Sequence, residues 1–322
     1  MGKILEVKNL TKRYCNHLAV DHLNFTVESG KIYGFLGPNG AGKSTTMNIM
    51  TGYLGATEGQ VLIDGHDILK EPEEAKKNIG YLPEIPPLYM EMTVREYLEF
   101  AAELKGIKKD KREPQIEEVI RLAKLRAVEN RLIQNLSKGY KQRVGLAQAV
   151  LGFPEIIILD EPTVGLDPKQ IIEIRELIRK LAKKHTVILS SHILAEVREV
   201  CDYIMIISGG KLVASDTTEN LENMMSGKGQ IEVEAKASRD EMDHIIRRTG
   251  KIKEVKYRTS ASGITTAQII AKGGEDIREE LFLAFSHADV PMLTLNQSKT
   301  TLEEIFLELT QGSGNRMIKE EK

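Results

Sequence analysis

The chain has 322 residues, 41% of them hydrophobic and 29% charged, with a formal net charge of −2. That is the composition of a folded chain with a core, long enough for about two domains, and its near-neutral charge gives no electrostatic footing for nucleic acid or an anionic lipid surface. The longest uninterrupted apolar runs, such as Tyr203 to Ile207 and Leu281 to Phe285, are five residues against the roughly 18 a bilayer span needs, so any membrane role is expected to come through a partner.

In chain order, Met1 to Glu6 lack the long apolar stretch of a signal peptide and the hydroxyl of a myristoylation signal. Residues 4–27 alternate as a β hairpin, with Ile4, Leu5 and Val7 followed by Leu18, Val20, Leu23, Phe25 and Val27. Between the two runs, Tyr14 either packs at a turn or stacks on a nucleobase, a contact of about 1–3 kcal/mol. The two cysteines, Cys15 and Cys201, are expected as small apolar residues of a reducing cytosol rather than as a disulfide.

Lys31 to Leu36 is a short apolar strand, Gly37-Pro38-Asn39-Gly40-Ala41-Gly42-Lys43-Ser44 a glycine-rich loop, and Thr45 to Met50 the start of a helix. That order of elements turns the spacing of the glycines, Lys43 and Ser44 into a P-loop. Glycines at 37, 40 and 42 let the backbone wrap closely, so that its N–H groups converge on an anion at a helix N-terminus. Lys43 is placed to reach β- and γ-phosphates, and the Ser44 hydroxyl to complete a Mg²⁺ shell. The loop implies a bound nucleoside triphosphate.

Gly59 to Ile63 reads as a further strand, and Ile79 to Pro83 as another, followed by Glu84 and a proline-rich loop. From Thr93 to about Val150 the pattern is helical. Thr93 and Glu96 form a capping box, and Gln115 to Leu125 carries Ile116, Val119, Ile120 and Ala123 on one stripe. A further helix opens at Ser137. Ile156 to Leu159 then reads as a buried parallel strand ending in Asp160 and Glu161, at the edge where open α/β sheets place ligands. There Asp160 suits a Mg²⁺ carboxylate, and Glu161 suits polarising a water against a γ-phosphate. Asp167 and Pro168 are the N-cap and first residue of a helix burying Ile171, Ile174, Leu177, Ile178 and Leu181. Thr186 to Leu189 is a strand that ends in Ser190-Ser191-His192. His192 is either a surface cap or a γ-phosphate sensor. A helix from Leu194 to Val200 and strands Tyr203 to Ile207 and Lys211 to Ala214 complete an α/β domain ending near residue 222.

Over residues 3 to about 220 this set of motifs resembles the nucleotide-binding subunits of ATP-binding cassette (ABC) transporters. Gly37 to Ser44, with Thr45 beside it, matches the Walker A loop, and Ile156 to Asp160 matches Walker B, with Glu161 as the catalytic glutamate. Ser137 and Gly139 fall at the signature motif, Gly165 to Asp167 at the D-loop, His192 at the switch histidine and Tyr14 at the adenine-stacking aromatic. The resemblance implies a P-loop NTPase fold with an inserted helical subdomain at about 85–150. It also implies ATP and Mg²⁺, and a dimer with a second copy or a paralogous cassette that encloses two ATP molecules. The partner would be a separate integral-membrane permease, docked at Pro83 to Tyr89 and the helix at Thr93, on the cytoplasmic face of the membrane. The subgroup it looks most like serves multidrug, sodium-extrusion and gliding-motility exporters. Three positions depart from the family pattern: Lys138 and Tyr140 within the signature, and Glu84 where the family carries a Mg²⁺-binding glutamine.

After Ser226 to Gly229 the composition shifts, and strand, helix, strand, strand, helix, strand and helix follow from Ile231 to Leu309. That order suggests a small ferredoxin-like α+β domain over 230–311, regulatory or dimer-supporting, with a disordered tail at 312–322. A soluble ATPase of the same family in translation or DNA repair would usually carry two cassettes or long coiled-coil insertions, and this chain has one P-loop and neither. A slow nucleotide-gated switch is the other rival.

Overall fold

A computed structural model describes residues 2–221, 230–260 and 263–298, together with Phe306, Leu307 and Thr310. They divide into two compact units, the first holding the described residues up to Thr217 together with Thr310, the second those from Thr218 to Leu307. The first holds β1 (Lys3–Tyr14), β2 (His17–Glu28), β3 (Ile32–Leu36), α1 (Lys43–Met50), β4 (Glu58–Ile63), β5 (His66–Asp67), α2 (Pro72–Lys77) and β6 (Ile79–Leu82). It continues with α3 (Val94–Leu104), α4 (Lys109–Leu122), α5 (Lys138–Val150), β7 (Ile156–Leu159), α6 (Pro168–Leu181), β8 (Thr186–Ser191), α7 (Leu194–Val200), β9 (Tyr203–Ser208) and β10 (Lys211–Thr217).

The expected hairpin, β1 and β2, lies in an antiparallel sheet of order β2-β1-β4-β5. The other sheet has the order β10-β9-β3-β8-β7-β6. Its inner pairs are parallel, and every residue of β3, β7 and β8 is buried. Continuous apolar runs such as Ile156 to Leu159 suit such strands, because helices cover both faces of a parallel sheet. Close packing is visible at Gly80 in β6, where an added Cβ would stand 2.1 Å from the Ala149 carbonyl oxygen of α5.

In the helical segment, Thr93 caps α3 through the expected box with Glu96. Helix α4 starts at Lys109, earlier than the Gln115 read from the sequence, and runs through Pro114. Proline reads as a first-turn residue, but the charged turn before it is anchored by an ion pair, Glu113 to Arg95 at 2.9 Å. In α6 the buried residues are Ile174, Leu177, Ile178 and Leu181, while Ile171 is only half-buried. Of the two free cysteines, Cys201 is buried as expected, but Cys15 is exposed at the hairpin turn with a φ of 48°. A turn residue has no core to pack into.

The second unit holds β11 (Gln230–Ala235), α8 (Arg239–Arg247), β12 (Ile252–Thr259), β13 (Thr265–Ala271), α9 (Arg278–His287) and β14 (Met292–Ser298). Its sheet is antiparallel throughout, in the order β12-β13-β11-β14, which is the ferredoxin-like order. Met242, Ile246, Leu281 and Phe285 of the helices pack with Ile231, Val233, Ala267 and Ile269 of the strands, leaving the other face polar. The expected spacer at 226–229, most of the helix at 301–309 and the tail at 312–322 lie outside the described residues.

Candidate functional site

The loop between β3 and α1 is shaped by glycine. Gly42, the N-cap of α1, has a φ of 103°, and a Cβ there would meet the Ala19 carbonyl oxygen at 2.5 Å. Only glycine fits both constraints. The Lys43 side chain is folded back beneath the loop, 6% exposed. Its Nζ donates to the Gly37 carbonyl at 2.8 Å and the Pro38 carbonyl at 3.3 Å, and lies 3.5 Å from Glu161 Oε1.

Strands β7 and β8 end beside this loop. Asp160 Oδ1 accepts from the Ser44 hydroxyl at 3.3 Å and from the Ser190 hydroxyl at 2.6 Å. The Glu161 N–H donates to the same Ser190 Oγ at 2.9 Å. Ser190 thereby locks the two acids of the strand end in place. Glu161 has a φ of 48°, the left-handed region that ordinary residues avoid, and its carboxylate is 8% exposed. His192 Nδ1 lies 3.0 Å from Glu161 Oε2. One carboxylate thus touches both the P-loop lysine and the histidine from the next strand.

A cavity of about 480 Å³ opens over these groups, lined by Tyr14, His17, Asn39, Gly40, Gly42, Lys43, Ser44, Thr45, Glu84, Glu161 and His192. Tyr14 is 45% exposed at its rim, with Lys12 Nζ 5.3 Å from the ring centroid. Within the loop Gly37 and Ala41 are buried, and Pro38 is exposed. Ser44, Glu84 and Asp160 together line a second, larger cavity of about 840 Å³, with Tyr53, Tyr81, Ile85, Pro87 and Gln148. Burial, reinforced by the nearby Asp160 carboxylate, pushes the Tyr81 phenol well above its ordinary value, so it stays a donor and bonds Asn48 Oδ1 at 3.0 Å.

The remaining expected residues stand together elsewhere in the same unit. Ser137 caps α5, accepting from the Tyr140 N–H at 3.4 Å. Asp167 caps α6, accepting from the Gln170 N–H at 2.9 Å. A Cβ on Gly139 would meet the Gln170 side chain at 2.5 Å, and one on Gly165 would meet Lys138 Nζ at 2.1 Å. Neither Ser137, Gly139 nor Asp167 lines the cavity over Lys43. Sequence reasoning passed over His17, Ser190 and Thr163. The signal for Ser190 was a hydroxyl pair closing an otherwise apolar strand.

The family model described as ABC transporter matches residues 20–164. The bacitracin transport ATP-binding protein of Bacillus licheniformis is 42% identical over 224 residues, 69% of this chain and 72% of that protein. The linearmycin resistance ATP-binding protein of Bacillus subtilis is 30% identical over 308 residues, 95% of this chain and 98% of that one. A solved ATP-binding subunit of an ABC transporter superposes with a TM-score of 0.63 at 32% identity, over 69% of this chain and 93% of its own. A dimeric cassette in a post-hydrolysis state with ADP and Pi superposes with a TM-score of 0.60 at 28% identity, over 66% of this chain and 98% of its own. The chain belongs to the ATP-binding cassettes of ABC transporters, and is an ATP-hydrolysing subunit of that family.

Proposed function

We propose that the chain works as one half of a cassette dimer around two ATP molecules, energising a separate membrane permease that exports its substrate. The observation that carries this reading is the meeting of Lys43, Glu161 and His192 at the ends of three neighbouring strand segments. Lys43 turns from the loop carbonyls to the β- and γ-phosphates, and the loop N–H groups hold them. Glu161 orients the attacking water and takes up its proton as the water oxygen bonds to the γ-phosphorus and the bond to the β–γ bridging oxygen breaks. His192 fixes the Glu161 carboxylate and faces the γ-phosphate. Tyr14 stacks on the adenine. Asn39, Gly40 and Thr45 line the phosphate side.

Ser44, Asp160 and Glu84 present hard oxygen donors to one cavity, which suits a Mg²⁺ shared with phosphate oxygens and water rather than caged by protein alone. Bound there, the ion would neutralise phosphate charge. Ser137 and Gly139 at the start of α5 and Asp167 at the start of α6 are assigned to the ATP of the opposing cassette, where a helix N-terminus favours an anion. Lys138 adds a cation beside them.

The permease reading is supported by the 840 Å³ groove, whose rim carries Tyr53 and Ile85, each 83% exposed. No described helix is long and apolar enough to cross a membrane, so we place the chain on the inner membrane face through that partner. The bacitracin and linearmycin relatives favour export. Replacing Glu161 by Gln tests the chemistry: phosphate release should fall by about 10²–10⁴-fold while binding of a fluorescent ATP analogue persists. Wild-type turnover in that variant would overturn the assignment.

A further inference from the structure

Glu196 stands in the first turn of α7, whose other buried residues are Leu194, Val197 and Val200. A carboxylate at such a position must be compensated by hydrogen bonds or charge, and its side chain is 7% exposed. Its Oε2 accepts from the Thr163 hydroxyl at 2.6 Å and from the Ser191 hydroxyl at 3.1 Å. Ser191 Oγ in turn accepts from the Ile193 N–H at 3.0 Å. The residues on both sides of His192 are therefore tied to this acid, directly or through Ser191. Thr163 lies two residues beyond Glu161. One oxygen atom thus binds the segments that carry the two side chains meeting at 3.0 Å.

The other oxygen faces α6. Glu196 Oε1 lies 3.8 Å from an Arg175 terminal nitrogen. Arg175 also pairs with Glu199, and its buried Nε has no hydrogen-bond partner in the structure. The Arg175 charge is held by these two acids of α7, on the helix whose N-cap is Asp167.

We propose that Glu196 is a positioning residue that fixes the Glu161–His192 pair through the Thr163 and Ser191 hydroxyls, while Arg175 of α6 balances its charge. The inference rests on Glu161 and His192 acting in hydrolysis as proposed above. Removing the carboxylate frees both hydroxyls and leaves Arg175 with half its compensation. A glutamine keeps an oxygen acceptor for the hydroxyls but loses the charge facing Arg175. The two substitutions therefore separate the links.

The test is steady-state ATP turnover and nucleotide affinity of the full chain in Glu196→Ala, Glu196→Gln, His192→Ala and the Glu196→Ala/His192→Ala pair. In Glu196→Ala, kcat should fall about tenfold or more with nucleotide affinity within about twofold, and Glu196→Gln should recover most of the loss. In the His192→Ala background, Glu196→Ala should add little, because residues acting as one unit are not additive. An equal fold-loss with and without His192 would mean that Glu196 only supports the fold, and the inference falls. A wild-type kcat in Glu196→Ala overturns it too. Should that variant fail to fold, Thr163→Val and Ser191→Ala, alone and combined, give the same comparison against His192→Ala. Wild-type turnover in Glu161→Gln, by contrast, removes the site assignment itself.

Discussion

The six-stranded sheet of the first unit and the four-stranded sheet of the second solve the same burial problem in opposite ways. In the first, β3, β6, β7, β8 and β9 run parallel, and β3, β7 and β8 are buried on both faces. The middles of such strands are apolar, and polar residues collect where they end. Because the strands are parallel, those ends share one edge, and Lys43, Asp160, Glu161 and His192 gather there. In the second, each neighbour is antiparallel, so strand ends alternate between two edges. Its polar residues instead spread over one face, as Glu232, Glu234, Arg258, Thr266 and Gln268 do. Strand direction, rather than the supply of polar residues, decides where chemistry concentrates.

The largest effect should come from breaking that contrast at its centre. Lys43→Ala removes the cation at the shared edge and should lower ATP turnover by about 10²–10³-fold, read as phosphate release. Gln268→Ala, on the polar face of the second sheet, should leave turnover unchanged. Stability should divide differently. Ile158→Ala and Ile269→Ala each delete a side chain with no exposed surface, and each should cost about 2–5 kcal/mol. Arg258→Ala should stay within about 0.5 kcal/mol. Calorimetry resolving separate transitions for the two units would assign each loss, and only Ile158→Ala should lower the transition that abolishes ATP binding.

A smaller, sharper test uses the close approach of α5 to β6. A methyl group at Gly80 would meet backbone at Ala149 rather than a flexible side-chain end. Gly80→Ala should therefore cost about 1–3 kcal/mol by overpacking. Since Ser137 caps α5, turnover should drop while ATP affinity at the Lys43 loop is kept. A melting temperature equal to wild type would show that α5 shifts freely.

Much of the first unit was legible because its signals are local. The loop from Gly37 to Ser44, the Thr93–Glu96 box, the Asp167–Pro168 cap and the apolar run before Asp160 each carry their geometry in a few adjacent residues. What escaped depends on distant partners. The start of α4 was misplaced because Glu113 is held by Arg95, 18 residues away. Ser190 bridges Asp160 and Glu161 from another strand. Thr163 and Glu196 are 33 residues apart yet 2.6 Å from each other. The exposure of Cys15 follows from a turn whose tightness composition does not encode.

The gentlest test separates the apolar sheet from the charge-bound helical segment. Arg95 pairs with Glu113, Glu117 and Glu129, and Arg126 with Glu117 and Glu129. Hydrogen bonds from Arg126 and then Arg95 hold the Glu117 carboxyl down to about 2, against an ordinary 4.5. A depressed carboxylate contributes stability that is fully present above its unfolded value and disappears as pH falls through its folded value. The helical segment should therefore lose stability between about pH 4.5 and pH 2, a window set by those same values. Glu117→Gln should flatten that dependence without altering the melt at neutral pH by more than a small amount, since an exposed pair is screened by water and salt. Urea melts followed by far-UV circular dichroism across that window decide it, and an unchanged acid slope in Glu117→Gln would place the acid sensitivity elsewhere than this cluster.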